Sequence, residues 1–592
     1  MNPLYLARVP AGIPALLLAV TLSGCTEPSG TAETFEPPAY RHSLPSAAGD
    51  LDPARSGDRY TGFLVQNLFQ TLYVYKYLAR PYQLKPGLAD GFPQVSDDGL
   101  RYRIRIRPGQ RFSDDPSFPS GTGREVTAAD VVYSLKRHFD PEVRSQGTWL
   151  WRDQIVGMQQ WAEAGVDYDQ PVEGLRVISA SEIEIFLLEP YPTLIHTLAN
   201  PLSAVVPREV VEDRGPEFGR RPVGSGPYRL EHLDATHARL TRNQNFPETR
   251  IDIFREGYQA DIHHSLGLEA LHQKGMPILS PVHVEFVMEE SSRWLSYNKG
   301  DEIEFIRLPA SQIPSVLDRE GPLRLKQEFE SEHHMLTAPE LGFVRIDFNM
   351  AHPAIGLHPD PEESERRRQL RCAMAATIDW DDRNRVFYER MGRTFGGLAP
   401  PGTRDEVPAF HVSSRSSADW GQAESLPVIP YGAVGSLRST QEFEYFRASM
   451  TAAGYPRDRI TYQAYPSFGD FARGIANNEV AVFAIGWSMD FPDPINNYQL
   501  FYGPNRLPGA NYSQFQDDAY DQAYERASRL RPGKERRALL DTMEDVLRSE
   551  CVSVPGLARQ AVFMFHRDII AFPDSGPING RMLGMVDRRA SD

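Results

Sequence analysis

The chain has 592 residues and a formal net charge of −16; 41% of its residues are hydrophobic and 24% are charged. This length predicts two or more domains, and the composition excludes a fibrous or fully disordered protein. The acidic balance disfavours nucleic acid and anionic membrane surfaces as partners, whereas a cationic or zwitterionic small ligand is compatible with it.

The first 25 residues carry the pattern of an exported protein. Arg8 gives a weakly basic start, and the apolar run 13–22 is shorter than the ~20 residues that a transmembrane helix needs. The run ends in LSGC, which resembles the lipobox of bacterial lipoproteins and implies that 1–24 is a signal peptide and that Cys25 is lipidated. An ordinary secretory signal with a chance cysteine is the alternative. Residues 25–49, rich in Pro, Gly, Ser and Thr, are predicted to form a tether, with no further membrane segment.

The next part of the chain mixes strands and helices. Residues 101–107 (RYRIRIR) alternate strictly and predict a half-exposed strand. Thr127 followed by Asp130 is a capping-box pattern that predicts the start of a helix. Residues 181–189 predict another strand, and 222–233 predict a Gly/Pro turn that enters a strand.

The second half predicts more helices. Residues 366–391 have a helical pattern, in which Asp379 with Asp382 can cap a second helix. Apolar residues at helical spacing predict amphipathic helices over 520–530 and 539–547. The mixture favours an α/β or α+β architecture.

Motifs for catalysis or metal binding are missing from the sequence. No G-x-S-x-G, no H-E-x-x-H and no phosphate-binding Gly-Lys-Ser/Thr ending occurs. The pairs His263-His264, with nearby His272, and His333-His334 do not complete a Cys/His ligand set. We therefore predict no catalytic residues, no metal site and no cofactor.

Three cysteines are too few for a disulfide framework. Cys372 and Cys551 either pair or form two buried thiols. The frequency of free Cys as a small core residue favours the thiols.

Eight segments, taken in order, resemble the bacterial extracellular solute-binding proteins of family five, the peptide-, dipeptide- and nickel-binding components of ABC importers. The segments cover most of residues 50–560 and are LKPGLADGFPQVSDDGLRYRIRIRPGQRFSD, VTAADVVYSLKRHFDP, PVGSGPYRL, LTRNQNF, WLSYNKGDEIEFIRLP, FVRIDFNMAHPA, RRQLRCAMAATID and IGWSMDFPDPINNYQLFYGPN. Two stretches depart from the family pattern: DDPSFPSGTGREVT is longer than usual, and residues 403–426 are short and Ser-rich where the family carries a helical block.

The resemblance implies an α/β fold: a two-lobed periplasmic-binding-protein clamp of type II (cluster C-like), with mixed sheets and two hinge crossings. Lobe I is expected to comprise 50–300 plus 512–592, including the extra family subdomain, and lobe II 301–511. The ligand would close the hinge by binding both lobes.

The resemblance also implies ligand-binding residues. In peptide-binding members, the Asp three residues after the Gly-Trp tryptophan meets the ligand's α-ammonium; that position is Asp490, three after Trp487. Asp493, before Pro494, fits a structural turn. The other candidates for the ligand site are Tyr73, Tyr75 and Asn349.

The resulting hypothesis is a monomeric, lipid-anchored periplasmic protein that captures a peptide or peptide-like solute for ABC transporter permease subunits and has no catalytic turnover. One alternative is a non-peptide solute: a nickel chelate, an oligosaccharide or an opine-like compound. The other is a lipoprotein without import that acts as a sensor or interaction module.

Overall fold

A computed structural model describes residues 39–300, 303–318, 323–401, 403, 420, 426–574 and 576–589. All of these residues lie in one compact unit, Pro38–Asp592. The predicted lipidation site Cys25 and most of the Ser-rich stretch 403–426 lie outside the described residues.

The first part of the chain builds two four-stranded sheets. Its elements are β1 (Tyr40–Leu44), α1 (Arg59–Leu68), β2 (Tyr73–Tyr75), β3 (Leu84–Pro86), β4 (Gln94–Val95), β5 (Arg101–Arg105), α2 (Ala128–Lys136), α3 (Met158–Glu163), β6 (Leu175–Ser179), β7 (Glu182–Phe186), α4 (Leu194–Thr197), α5 (Arg208–Arg214), β8 (Tyr228–Leu233), β9 (His237–Arg242), β10 (Thr249–Arg250), α6 (Ala260–His263), β11 (Gly275–Met276) and β12 (Val282–Phe286). The sheets have the orders β1-β12-β9-β8 and β4-β5-β7-β6. Their apolar faces belong to one hydrophobic core, the first core.

Local patterns explain several of these elements. In β5, Tyr102 and Ile104 are buried while the arginines at both ends of the strand are exposed, as the alternation predicts. Helix α2 begins with the predicted capping box, in which the Thr127 N–H donates to Asp130 Oδ2 at 2.8 Å.

Strand β1 lies inside the segment that the sequence predicts as a tether. Tyr40, His42 and Leu44 point into the protein, and the strand runs parallel to β12 at the edge of its sheet. Because these alternate residues are buried, the end of the 25–49 segment belongs to the folded body.

The middle of the chain contributes α7 (Glu290–Lys299), β13 (Phe305–Arg307), α8 (Ile313–Val316), β14 (Leu317–Asp318), β15 (Arg324–Leu325), α9 (Gln327–Glu330) and β16 (His333–Pro339). The chain then enters a six-stranded sheet with its own core. These elements are β17 (Gly342–Phe348), α10 (Pro361–Ala375), α11 (Trp380–Phe387), β18 (Arg393–Thr394), β19 (Ile429–Val434), α12 (Leu437–Ala452), β20 (Ile460–Tyr465), α13 (Phe468–Ala476), β21 (Val482–Ser488), α14 (Ile495–Tyr498), α15 (Asp518–Arg529), α16 (Lys534–Glu550) and β22 (Ser553–Ala558). The strand order is β18-β22-β17-β21-β19-β20.

The chain returns through β23 (Gln560–His566), β24 (Ile569–Ile570) and β25 (Asp587–Arg588). Strand β23 lies between β13 and β16 in a three-stranded sheet. Its residues Ala561, Phe563 and Phe565 join the first core, whereas Val562 and Met564 join a smaller cluster around α7, β13 and α8. The fold is therefore mixed α/β, as the sequence predicts, and its described residues form two large cores and two smaller hydrophobic clusters.

The crossings between the cores differ from their expected positions. The second core runs from Phe343 to Ala558, so α15, α16 and β22 belong to it rather than to the first lobe. The crossings lie side by side, since the Glu340 N–H donates to the Arg559 carbonyl at 2.9 Å. The Glu340 carboxylate, which is 6% exposed, also binds Arg559 Nε at 2.9 Å and the Arg307 guanidinium.

Cys372 and Cys551 form a disulfide between α10 and the residue that follows α16, with 5.2 Å between their Cα atoms. The two buried thiols that the sequence favours are therefore not found. The pairing depends on α16 packing in the second core, beside α10, which the helical pattern alone does not reveal.

Candidate functional site

The segment after β21 carries Asp490. Its partly buried carboxylate accepts a hydrogen bond from Asn496 Nδ2 at 2.9 Å, and its backbone N–H donates to Asn496 Oδ1 at 3.1 Å. The half-buried indole of Trp487 donates from Nε1 to the same oxygen at 3.2 Å. One amide therefore fixes both residues of the predicted Gly-Trp-x-x-Asp pattern relative to each other.

The electrostatic environment of Asp490 is unusual for a carboxylate. Burial raises its pKa above the ordinary value of 3.8, and the hydrogen bond from Asn496 opposes this shift only in part. Among the residues that the structure describes, no Lys, Arg or His forms an ion pair with it. Because buried carboxylates are normally paired, this one is suited to receive an external cation.

Asp493, three residues later, has a different environment. It is buried, and its two oxygens bind the buried Arg536 guanidinium, with 2.9 Å between Oδ2 and Nη1. Its Oδ1 also accepts from the Ile495 N–H at 3.0 Å at the start of α14. Asp493 is therefore structural, in agreement with the interpretation of the turn.

The other side of this region comes from the first part of the chain. The His196 ring stacks on Phe491 with 5.8 Å between centroids, and the Tyr75 hydroxyl lies 2.8 Å from His196 Nδ1. Burial raises the pKa of Tyr191 to about 12, and the charge of Asp490 contributes. The Asp490 segment thus lies where elements of the two cores meet.

An ion pair closes the same junction. Arg529, in α15, binds Glu189, just after β7, at 2.7 Å. Both side chains are substantially exposed, so the pair contributes little free energy by itself. It nevertheless adds a second contact between the first part of the chain and the second lobe, besides the stack of His196 on Phe491.

Two of the other predicted ligand residues, Tyr73 and Asn349, are fully buried among the described residues. Tyr73 is fully buried and stacks on Phe92 with 5.9 Å between centroids, although its buried hydroxyl lacks a hydrogen-bond partner. Asn349 is also fully buried, and its amide donates to the Ile475 and Val480 carbonyls at 3.0 and 2.9 Å. Asn349 therefore orders backbone in this structure, and its contact with a ligand stays a prediction.

A cavity of about 460 Å³ lies at the crossings. Its wall includes Arg59 from α1, Phe563 from β23 and Tyr388 and Arg438 from the second lobe. Asp490 is not part of this wall, so the cavity and the Asp490 segment are different regions of the junction.

Sequence reasoning missed Asn496, Arg536, Tyr191 and His196. Asn496 stands in the quoted IGWSMDFPDPINNY segment, but nothing distinguishes it from Asn497. Arg536 and His196 are distant in the chain from their partners, so no local pattern could have found them.

Among the described residues, no helix combines the length and the apolar character that crossing a membrane requires.

Two large cores joined by adjacent crossings, with a carboxylate at their junction that has no ion-pair partner among the described residues, define a two-lobed binding protein. The family model of the bacterial extracellular solute-binding proteins, family 5 (Middle), matches residues 83–508. The chain belongs to this family, which confirms the resemblance stated from the sequence.

Relatives and solved structures agree with this membership. The glutathione-binding protein GsiB of Escherichia coli O1:K1 / APEC is 28% identical over 442 residues, or 68% of this chain and 75% of that protein. GsiB of Salmonella typhi is 28% identical over 186 residues, so the match spans only 31% of this chain and 30% of that relative's length. The periplasmic binding protein DppA from Helicobacter pylori, in complex with the peptide STSA, has the same fold: the TM-score is 0.67 at 17% identity, over 93% of this chain and 98% of that one.

Proposed function

We propose that this protein captures a peptide or peptide-like solute between its lobes and delivers it to the permease of an ABC transporter. The observation that carries the proposal is the Asp490 carboxylate, which burial destabilises and which lacks a cation among the described residues. A ligand's α-ammonium supplies that charge. The glutathione-binding relatives and the peptide complex of the DppA structure support a ligand of this class.

Desolvation makes this contact energetically important. An ammonium that enters a closed junction loses water and requires a carboxylate at hydrogen-bond distance. Removing one partner of such a pair costs about 2–5 kcal/mol, which corresponds to about 30- to 4,000-fold in affinity. Asn496 holds the Asp490 side chain in place beforehand, so little conformational entropy is lost on binding.

The proposal also covers the cellular location of the protein. The Cys372–Cys551 disulfide is of the kind that persists in oxidising compartments outside the cytoplasm. Together with the export pattern before Cys25, it supports a location in the periplasm, and we propose that the protein acts there as a monomer held to the membrane by a lipid on that cysteine. Mass spectrometry of the N-terminal peptide from cell envelopes tests the lipid: an unmodified Cys25 or a cleavage elsewhere would contradict it.

The test for the ligand compares two probes on three proteins. The probes are pools of di- to pentapeptides with a free amino terminus and the same pools with an acetylated one. The proteins are the wild type, Asp490→Asn and the matched control Asp458→Asn, which changes an exposed second-lobe carboxylate. Thermal shift identifies a binding peptide, and isothermal titration calorimetry measures its affinity.

We expect the free-amine peptide to lose about 30- to 4,000-fold in affinity with Asp490→Asn and to be unaffected by Asp458→Asn. The acetylated peptide is expected to bind wild type and Asp490→Asn almost equally weakly. If both substitutions leave free-amine affinity unchanged, Asp490 is not the ammonium site. If no peptide stabilises the protein while another solute class does, the peptide assignment is wrong.

A further inference from the structure

The hairpin formed by β8 and β9 carries two histidines and a carboxylate. His232 Nε2 lies 2.9 Å from Asp234 Oδ2, and His237 Nδ1 lies 3.3 Å from Asp234 Oδ1. The two imidazole rings stack with 4.7 Å between centroids. One ligand atom from each of the three side chains lies within 4.8 Å of the others, and the group is reachable from solvent.

The turn that holds these residues is already ordered. The Asp234 N–H donates to the His237 carbonyl at 3.0 Å. Asp234 Oδ1 in turn accepts from the Thr236 and His237 N–H groups at 2.7 and 2.9 Å. Each oxygen of the fixed carboxylate therefore lies near one imidazole nitrogen, and only the imidazoles must adjust to converge on one point.

A second carboxylate stands next to the group. Glu285, in β12, is the direct antiparallel partner of His237 in β9. Directly opposed residues share one face of a sheet, with Cβ atoms about 4.5–5.5 Å apart. Glu285 is thus placed to act as a fourth ligand from a neighbouring strand.

We propose that His232, Asp234 and His237 form a binding site for a divalent first-row transition metal such as Zn²⁺. Imidazole nitrogens suit Zn²⁺, Ni²⁺ and Cu²⁺, and two histidines with one carboxylate leave positions open for Glu285 or water. Among the described residues, this is the one group of three or more His, Cys, Asp and Glu side chains that could hold an ion. The site joins the end of β8 to the start of β9 and involves no residue of the Asp490 segment.

The chain offers a matched control. The exposed His264 also lies beside a carboxylate, with 2.5 Å between Nδ1 and Glu269 Oε1, but it belongs to no group of three. A lone His–carboxylate pair and a three-ligand group can therefore be compared in one protein.

The experiment uses the full chain purified without a polyhistidine tag and stripped of metal by chelation. Isothermal titration with ZnCl₂ is expected to show one equivalent of high-affinity binding. We expect that equivalent to be lost in the double variant His232→Ala/His237→Ala and retained in His264→Ala. Retention of the full equivalent in the double variant would overturn the assignment.

A second measurement needs no variant. Diethyl pyrocarbonate modifies free imidazoles, and mass spectrometry reports the modification of each histidine. Adding ZnCl₂ to the wild type is expected to protect His232 and His237 at least several-fold and to leave His264 reactive. Equal reactivity of His232 and His237 with and without ZnCl₂ would refute the site, whatever the outcome of the peptide experiments.

Discussion

Replacing Cys372 and Cys551 by alanine removes a crosslink whose stabilising effect can be worked out from the structure. The two residues are 179 positions apart, and the chain-entropy relation for a loop of that length gives a stabilisation of about 5 kcal/mol at 25 °C. The substitutions keep both Cβ atoms, so the left-handed backbone at Cys551 (φ 49°) is the same in both proteins. The loss is therefore expected to come mainly from the greater entropy of the unfolded second lobe.

The assay must separate the two lobes, because a protein with two cores need not unfold in one step. Native-state hydrogen exchange read by mass spectrometry gives an opening free energy for each strand. Amides of β17 and β21 report on the second core, and those of β9 and β12 on the first. We expect opening of β17 and β21 to become easier by about 2–5 kcal/mol, with β9 and β12 almost unchanged.

The unchanged first core is the internal control, and oxidised and reduced wild type give a second comparison without mutation. A loss below about 1 kcal/mol in the second core would show that the unfolded chain is already constrained there. An equal loss in both cores would show that they open as one unit, which contradicts the expected independent opening of the two lobes.

Two further predictions concern carboxylates at the junction of the two lobes. Asp493→Asn leaves Arg536 buried without its counter-charge, so we expect the free energy of unfolding of the second lobe to fall by about 3–5 kcal/mol in urea denaturation; a loss under 1 kcal/mol would mean that water reaches the pair. Burial raises the folded-state pKa of Asp490 above 3.8, so the folded protein binds more protons than the unfolded chain between those two pKa values, and stability is lost as the pH rises through that window. Ligand-free Asp490→Asn escapes this loss, so we expect its Tm to rise relative to that of the wild type as the pH is raised above the ordinary carboxyl pKa of 3.8; parallel Tm profiles would contradict the effect of burial on the Asp490 carboxylate.

Local patterns predicted most elements but not which core each element joins. The cap at the start of α11, where Asp379 accepts from the Asp382 N–H at 2.9 Å, was readable because its residues are three apart. The amphipathic pattern of α16 likewise predicted a helix, but an apolar stripe does not say which core it packs on. The strand β22 follows α16 into the second sheet, so the expected return of the chain at 512 was too early.

The residues of the candidate site were likewise predicted only in part. The spacing of Trp487 and Asp490 was visible in the sequence, and the structure adds the amide of Asn496 that joins them. The sequence did not reveal that the Asn349 amide binds the Ile475 carbonyl in α13 and the Val480 carbonyl just before β21. The partners of Asn349 lie far from it in the chain, whereas Asn496 is near Trp487 and Asp490 but has no local signal that distinguishes it from Asn497.

The side-by-side crossings have a consequence for folding during synthesis, because the chain leaves the first lobe and returns to it late. The second lobe is one continuous stretch, whereas the first core needs residues 40–286 together with 561–586. At typical synthesis rates the last piece emerges about 15–55 s after the first is complete. Until then the first lobe lacks β23, its hydrophobic surface stays uncovered, and it remains accessible to chaperones.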